Sequence, residues 1–278
     1  MKIWFAAILG LVQGIAEFLP ISSSGHLAVL QNLFDMENVE QNHMFFTVLL
    51  HLGTLISVCF VYRHEIMDMI SEGVGFIRDL RHPSPDEGRP RPARRLLLMI
   101  IIATLPLFVV LPFSGAIEKL SSSSLFIGIA FLITGAMLFI ADKFQQGRTT
   151  EKTMSPVSAL IIGACQAIAV LPGISRSGAT ITSGMVLGLN RNFAVKFAFL
   201  LSIPAVLGAN IISLFKAIGA GFDTALLPAY LVGMLVAMVS GYFAISLVKM
   251  LSQKGKFGKF CYYCFGVGIL TIVLSIII

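Results

Sequence analysis

Six apolar stretches dominate this sequence, and each approaches the length that a helix needs to cross a lipid bilayer. Because a helix rises about 1.5 Å per residue, about 20 residues span the roughly 30 Å of hydrocarbon. The stretches are Phe45–Tyr62, Leu96–Phe113, Ser124–Ala141, Phe197–Phe215, Leu227–Val248 and Phe260–Ile278. Hydrophobic residues make up 56% of the chain and charged residues 12%, which excludes an ordinary soluble domain. We therefore predict an all-α polytopic membrane protein, with residues 1–278 forming a single integral membrane domain.

The formal net charge of +6 does not indicate nucleic acid, because the cations are concentrated between the predicted spans. Three loops are basic, and the loops between them are poor in Lys and Arg, a pattern typical of cytoplasmic loops alternating with external ones. The cations are Arg63, Arg78, Arg81, Arg89, Arg91, Arg94 and Arg95 in the first loop, Lys143, Arg148 and Lys152 in the second, and Lys249, Lys254, Lys256 and Lys259 in the third. We expect these loops to be cytoplasmic and both termini to lie outside.

The first basic loop contains several prolines, which predict a non-helical connector. Its cations are sufficient to set the topology of the neighbouring spans, and that is the interpretation favoured here. Binding of anionic lipid or of a regulator is the alternative.

Two shorter apolar stretches, each followed by a Pro, Gly and Ser cluster, resemble one another. Without gaps, residues 8–26 (ILGLVQGIAEFLPISSSGH) align with residues 161–179 (IIGACQAIAVLPGISRSGA), with nine identities in nineteen positions. Each stretch favours a re-entrant helical hairpin, residues 5–34 and 157–188, followed by three spans. Because three is odd, the second unit enters the membrane from the opposite side. The sequence thus predicts an inverted-topology repeat, residues 1–142 and 156–278, whose hairpin tips meet at a polar pocket near the midplane.

The first hairpin carries an ionisable residue inside its apolar segment. Glu17 is acidic, and Gln13 lies one helical turn before it on the same face. A charge at this depth costs at least about 2.5 kcal/mol unless it faces a polar interior. Glu17 is therefore a functional candidate, and the alternative is that it ties helices together by hydrogen bonds.

Three serines and a histidine open the next predicted helix, as Ser22-Ser23-Ser24-Gly25-His26. N-capping accounts for one hydroxyl but not for three hydroxyls beside an imidazole. The segment offers a nucleophile with a base or acid in reach, at a helix N-terminus whose free N–H groups suit a phosphate. We predict that Ser23 is the nucleophile and that His26 is its base or a proton donor. His26 as the nucleophile is the alternative.

The second hairpin opens its helix with a similar polar segment, now containing an arginine. Its candidate phosphate ligands are Ser175, Arg176, Ser177, Gly178 and Thr180. A guanidinium at membrane depth needs a partner, so Arg176 is expected to meet Glu17, a substrate anion, or both. Arg176 aligns with Ser23, and an approximate two-fold axis would bring the two residues face to face. His51, in the first span, is interpreted either as a packing histidine or as a residue that lines the cavity.

Two motifs summarise these segments: Gln13-Gly14-x-x-Glu17-Phe18-Leu19-Pro20-x-Ser22-Ser23-Ser24-Gly25-His26 and Pro172-Gly173-x-Ser175-Arg176-Ser177-Gly178-Ala179-Thr180. Together they resemble undecaprenyl-diphosphate phosphatase, the bacitracin-resistance family, and the resemblance covers nearly the whole chain. It implies a bacterial plasma-membrane enzyme that hydrolyses undecaprenyl diphosphate to the monophosphate and inorganic phosphate, recycling the lipid carrier used in cell-wall synthesis. It also implies a divalent cation, Mg²⁺ or Ca²⁺, and an active site that opens to the outer, periplasmic face.

One position departs from the family pattern, because members often carry Glu where this chain has Gln13. Metal binding would then fall mainly on Glu17, with the Gln13 amide oxygen as an uncharged second ligand. The Ser22, Ser24 and Gly25 positions would bind the diphosphate together with the arginine segment.

The expected partners are an isoprenoid diphosphate lipid and membrane lipids, without nucleic acid, and a homodimer is compatible with the sequence. A transporter or flippase of an anionic isoprenoid lipid is the alternative function, since inverted repeats with broken helices are common among transporters. A hydroxyl beside an imidazole and a carboxylate favours hydrolysis.

Overall fold

The structure is a computed structural model that describes residues 1–33, 43–81, 91–144, 147–221 and 223–277. Regular structure in these ranges is helical, apart from an isolated bridge between Thr149 and Leu189. The helices are α1 Ile3–Phe18, α2 Ser23–Leu33, α3 Met44–Val61, α4 Arg63–Arg81, α5 Pro92–Val110, α6 Ser114–Ser121, α7 Ser124–Ala141, α8 Pro156–Ile168, α9 Arg176–Val186, α10 Arg191–Ala220, α11 Leu227–Gln253 and α12 Phe260–Ile277.

Within the described ranges, six helical segments are long and apolar enough to cross a membrane. They are Met44–Val61, Pro92–Ile117, Ser124–Ala141, Arg191–Gly219, Thr224–Gln253 and Phe257–Ile277. Each contains or closely matches one of the predicted stretches, so the predicted multi-pass helical membrane protein is confirmed. Helices α1 and α8 are also apolar but have only 16 and 13 residues. At about 1.5 Å per residue they reach about 24 and 20 Å, less than the hydrocarbon thickness.

The two short apolar helices each turn back into a second helix, and the two turns touch each other. The Ser177 hydroxyl, at the start of α9, donates a hydrogen bond of 3.2 Å to the carbonyl of Leu19, at the end of α1. A Cβ added at Gly25 would lie 2.8 Å from the Cα of Gly173, so this crossing has room only for glycine. Gly173 has a φ of +93°, a left-handed conformation that glycine adopts without strain. The helix-turn-helix units formed by α1–α2 and α8–α9 therefore meet tip to tip.

Helix α1 packs closely along α11 through small residues. A Cβ added at Gly14 would lie 2.5 Å from the carbonyl oxygen of Ala237, and one added at Gly241 would lie 2.8 Å from the Phe18 ring. Residue numbers rise in the same direction along the two helices, from Gly14 beside Ala237 to Phe18 beside Gly241, so α1 and α11 are parallel. Helix α11 continues for twelve residues beyond Gly241 to Gln253, which is about 18 Å past the end of α1.

The prediction that the cations lie in loops is wrong for six of them. Arg63, Arg78 and Arg81 belong to the polar helix α4, Arg94 and Arg95 to α5, and Lys249 to α11. The carboxylates of α4 pair with cations near the start of α5, which ties the helix to the span. Arg94 bonds to Glu72 at 3.3 Å and to Asp79 at 2.8 Å, and Arg91 bonds to Asp79 at 2.6 Å. The predicted proline-rich connector falls mainly on residues 82–90, which lie outside the described residues.

Candidate active site

A cavity of about 510 Å³ lies beside the two hairpin tips. Much of its wall is apolar, with Leu107, Phe108 and Ile174 among its residues. Polar side chains enter it from both hairpins and from the spans α3 and α5. They include Gln13, Glu17, Ser22, Ser23, Ser24, Thr47, His51, Thr104 and Arg176. A pocket with apolar walls and a few convergent polar groups suits a lipid with a polar head.

Glu17 is the centre of the polar network, and its side chain is only 8% exposed. Its Oε2 accepts hydrogen bonds from the Ser23 hydroxyl at 2.8 Å and from Gln13 Nε2 at 3.1 Å. Its Oε1 accepts one from Arg176 at 3.4 Å. Arg176 is 32% exposed, so the guanidinium neutralises the carboxylate and still has donors facing open space. Ser23 and Arg176 thus lie on the two oxygens of one carboxylate.

Gln13 connects this carboxylate to His51 in the first span. Its Nε2 lies 3.1 Å from Glu17 Oε2 and 3.1 Å from His51 Nδ1. The amide nitrogen can only donate, so Nδ1 of His51 accepts and the ring proton lies on Nε2. Of the two sequence-based interpretations of His51, the cavity-lining one fits its position, since it lines the cavity and is hydrogen-bonded there.

His26 occupies a different environment from Ser23. Its Nδ1 lies 2.7 Å from the Ser22 carbonyl oxygen, to which it donates, and its Nε2 accepts from the Tyr263 hydroxyl at 2.8 Å. The His26 and Tyr263 rings stack with an interplanar angle of 13°. His26 does not line the cavity, and both of its ring nitrogens are engaged. The structure therefore brings Ser23 to Glu17 and not to His26.

The other residues of the first motif have mixed roles. Ser22 and Ser24, the predicted diphosphate ligands of this motif, line the cavity. The Ser22 hydroxyl also accepts a hydrogen bond from the Gly25 N–H at 3.2 Å, which caps α2. Ser22 adopts a φ of 65°, a left-handed conformation unusual for a non-glycine residue. Gly25 makes the close crossing with the second hairpin and does not line the cavity.

Of the five predicted phosphate ligands in the second motif, Arg176 is the one that lines the cavity. The hydroxyls around it are used within the hairpins. Ser175 accepts from the Gly178 N–H at 3.1 Å and so caps α9, while Ser177 binds the first hairpin. Thr180 donates back to the Arg176 carbonyl at 2.9 Å. These bonds hold the helix start that carries the arginine, so the four neighbours support the guanidinium and do not line the cavity.

The sequence profile of the bacitracin resistance protein BacA family matches residues 6–270. The chain belongs to this family. Several relatives that carry the name undecaprenyl-diphosphatase align with it from end to end. The protein of Methanosphaera stadtmanae is 38% identical over 100% of both chains. That of Carboxydothermus hydrogenoformans is 39% identical over 99% of this chain and 98% of its own, and that of Methanobrevibacter smithii is 41% identical over 99% of each.

In this family member, sequence reasoning named His51 among the residues of the spans but missed three others. Thr47 and Thr104 line the cavity from α3 and α5, and Tyr263 of α12 holds His26. Threonine and tyrosine are common in membrane helices, and the bond between His26 and Tyr263 joins residues 237 positions apart. Short-range sequence patterns carry no signal for such a pairing.

Glu17 is the carboxylate that lines the cavity. The described ranges contain no group of three or more His, Cys, Asp or Glu side chains able to hold a metal ion. Mg²⁺ commonly binds through one or two carboxylates together with substrate phosphates and water. A single carboxylate, Glu17, fits a cation shared with a diphosphate, and Gln13 would add its amide oxygen after a turn of the amide, because it presents Nε2 to Glu17 here. This donor set does not fit a cage made of protein ligands alone.

Proposed function

We propose that this protein hydrolyses undecaprenyl diphosphate to undecaprenyl phosphate and inorganic phosphate. The observation that carries the proposal is the placement of Ser23 and Arg176 on opposite oxygens of Glu17, at a cavity with apolar walls. A nucleophile (Ser23), a proton acceptor (Glu17) and a cationic group that can bind phosphate (Arg176) thus lie next to one another. Membership of the family and the name of the relatives support the same activity. Hydrolysis returns the lipid carrier to cell-wall synthesis.

The first chemical step is attack by the Ser23 oxygen on the terminal phosphorus. The bond from that phosphorus to the bridging oxygen breaks, and the electron pair leaves with undecaprenyl phosphate. Glu17 accepts the proton of Ser23 through the existing 2.8 Å hydrogen bond and returns it to the departing phosphate. Arg176 neutralises charge on the oxygens of the transferred group.

The second step releases phosphate from Ser23. A water molecule attacks the phosphoserine and gives a proton to Glu17, while the bond between phosphorus and the Ser23 oxygen breaks. Glu17 returns this proton to the Ser23 oxygen as inorganic phosphate leaves, which restores both the hydroxyl and the carboxylate. Gln13, which is bonded to His51, binds the same Glu17 oxygen as Ser23 and holds it in position, and the His51 Nε2 proton is available to a substrate oxygen. His26 as base or as nucleophile remains a prediction, and that role requires it to leave Tyr263.

A divalent cation, Mg²⁺ or Ca²⁺, is part of the proposal. Glu17 is the charged residue that would hold it, with the Gln13 amide oxygen as a second ligand. When bound, the cation would neutralise charge on the diphosphate. Because the protein offers a single carboxylate there, the substrate must supply most of the remaining ligands, so cation and substrate should bind together.

The inverted-topology repeat is proposed as the frame of the site. Two observations support it: each short apolar helix is followed by a second helix and three candidate spans, and the two turns touch. Re-entrant hairpins of this kind normally place their tips near the midplane and leave a cavity on one side. We place the three basic segments on the cytoplasmic face and the mouth of the cavity on the outer face of the bacterial plasma membrane.

Phosphate release in detergent separates hydrolysis from transport of an anionic lipid. We expect purified protein in detergent micelles to release inorganic phosphate from undecaprenyl diphosphate, since hydrolysis needs no intact bilayer. A chelator in excess of the cation should abolish release, and added Mg²⁺ or Ca²⁺ should restore it. If the purified protein stays folded but releases no phosphate with either cation, the proposed hydrolytic activity is refuted. Transport in sealed vesicles without hydrolysis would then favour the transporter.

The proposed orientation is tested by labelling from outside. A cysteine in place of Lys152 should be protected from an impermeant maleimide in intact cells, whereas one in place of Lys119 should react, because positive charge favours the cytoplasmic side. Both lysines are exposed, so accessibility differs only by side. Protein without the added cysteine gives the background from Cys59, which is exposed, and permeabilised cells give full labelling. The opposite sidedness would contradict the arrangement.

A further inference from the structure

A second concave surface lies on the other side of the first hairpin from the active-site cavity. We call it the lysine groove, a space of about 510 Å³ whose walls include Leu19, Ile21, Leu251, Lys256, Lys259 and Tyr263. Ile15 of α1 also lines the groove and precedes Glu17 by two positions, and two positions along a helix correspond to about 200°. The groove and the active site thus use opposite faces of the end of α1.

The groove exists because α1 stops while its neighbour continues. Phe18, the last residue of α1, packs beside Gly241, and α11 runs on to Gln253, about 18 Å further. Lys256 and Lys259 follow the end of α11, at the turn that leads into α12. Below the tip of the hairpin α1 no longer covers α11, and the groove lies on this side of the end of α11 and the start of α12, whose other sides are buried at Val248, Ser252 and Phe257.

The chemistry of the groove is divided by depth. Its upper wall is apolar, formed by Leu19, Ile21 and Leu251, which lie at the level of the hairpin tip and the last turns of α11. Its lower rim carries Lys256 and Lys259, both exposed, at the turn between two spans. No carboxylate is among the described residues that line it. Two ammonium groups below an apolar wall, at the end of two membrane spans, match a lipid whose head carries a phosphate.

We propose that the lysine groove is a binding site for an anionic phospholipid of the leaflet that contains the basic segments. The acyl chains lie against Leu19, Ile21 and Leu251, and the phosphate-bearing head lies between Lys256 and Lys259. The head of a zwitterionic lipid carries a positive charge of its own, so it would neutralise the two ammonium groups less well. An apolar helix of a partner would supply no acceptor for them. The lysine groove is separate from the proposed active site, and lipid binding to the groove does not depend on hydrolysis.

The test is lipid binding to the intact protein, measured by native mass spectrometry from detergent micelles. Phosphatidylglycerol and phosphatidylcholine are titrated separately, and the protein should retain phosphatidylglycerol in preference. Replacing both Lys256 and Lys259 by glutamine should weaken phosphatidylglycerol binding about 25-fold, since a lysine near an anionic lipid surface contributes about fivefold. The matched control replaces Lys152 and Lys254 by glutamine, which removes the same charge from exposed positions outside the groove. Its affinity should stay within about twofold of the unsubstituted protein.

A second pair of variants tests the apolar wall without changing charge. Leu251→Trp fills the groove and should lower phosphatidylglycerol retention about tenfold or more, whereas Leu247→Trp, at a position that is 39% exposed on the same helix, should not. Equal retention of the two lipids, or equal losses in the groove and control variants, would overturn the proposal. Displacement of phosphatidylglycerol by a tenfold lower concentration of a long-chain isoprenyl monophosphate would also overturn it, because the groove would then be a product site.

Discussion

Replacing Arg176 by lysine should lower kcat/KM for phosphate release by about 100-fold or more, although the charge is kept. The planar guanidinium bonds to Glu17 and still has donors for phosphate oxygens, because it is 32% exposed beside the cavity. An ammonium group is a single point charge and cannot contact a carboxylate and two phosphate oxygens in the same fixed geometry. The loss should appear in kcat more than in KM, since the bond to the transferred group strengthens as charge develops.

The control for this variant is Arg148→Lys, at an exposed position away from the cavity. It should retain activity within about twofold, since exposed charges far from the site contribute little. Folding of both variants is followed by gel filtration in detergent. Near-normal turnover of the Arg176 variant would assign the arginine to packing against Glu17 and would remove it from phosphate binding.

The membrane spans could be predicted from the sequence because hydropathy is a local property. An apolar stretch of about 20 residues has few alternatives to a spanning helix, since its backbone polar groups must be satisfied internally. Helix α4 could not be predicted in the same way. Its charged residues resemble a loop, and its partners, Arg91 and Arg94, follow it across the proline-rich segment. Hydrogen bonds from Arg94 and Arg91 hold the pKa of Asp79 below its ordinary value, so this contact persists to a more acidic pH than an unpaired aspartate would allow.

The polar network around Glu17 was partly predictable for an energetic reason. A carboxylate and a guanidinium inside apolar segments each require a partner, and the pairing of Glu17 with Arg176 follows from that requirement. The repeat was a weaker guide to function. Val170 stands at the position equivalent to Glu17 and Arg176 at that of Ser23, so the second hairpin has neither the carboxylate nor the hydroxyl bonded to it. Ser22 and Ser175 cap their helices in the same way, but Ser22 and Ser24 also line the cavity and Ser175 and Ser177 do not.

Replacing Ser23 by alanine should lower turnover by about 1,000-fold or more if this hydroxyl attacks phosphorus. The substitution removes one oxygen and leaves Glu17 with its bonds to Gln13 and Arg176, so expression and folding should be retained. Ser22→Ala should be milder, because that hydroxyl mainly caps α2 through the Gly25 N–H. Turnover is measured as phosphate release from undecaprenyl diphosphate at saturating substrate.

The companion variant His26→Ala decides whether Glu17 or His26 accepts the proton, and whether Ser23 or His26 attacks phosphorus. His26 is held by Tyr263 and the Ser22 carbonyl, so its removal should cost less than removal of Ser23 if Glu17 is the proton acceptor. Acid-quenched enzyme should then yield phosphoserine at position 23, and Glu17→Gln should lower turnover by about 100-fold to 10,000-fold. If Ser23→Ala keeps substantial turnover, His26→Ala has none, and a phosphohistidine is trapped, then His26 is the nucleophile. The bond between His26 and Tyr263 would in that case have to open in every catalytic cycle.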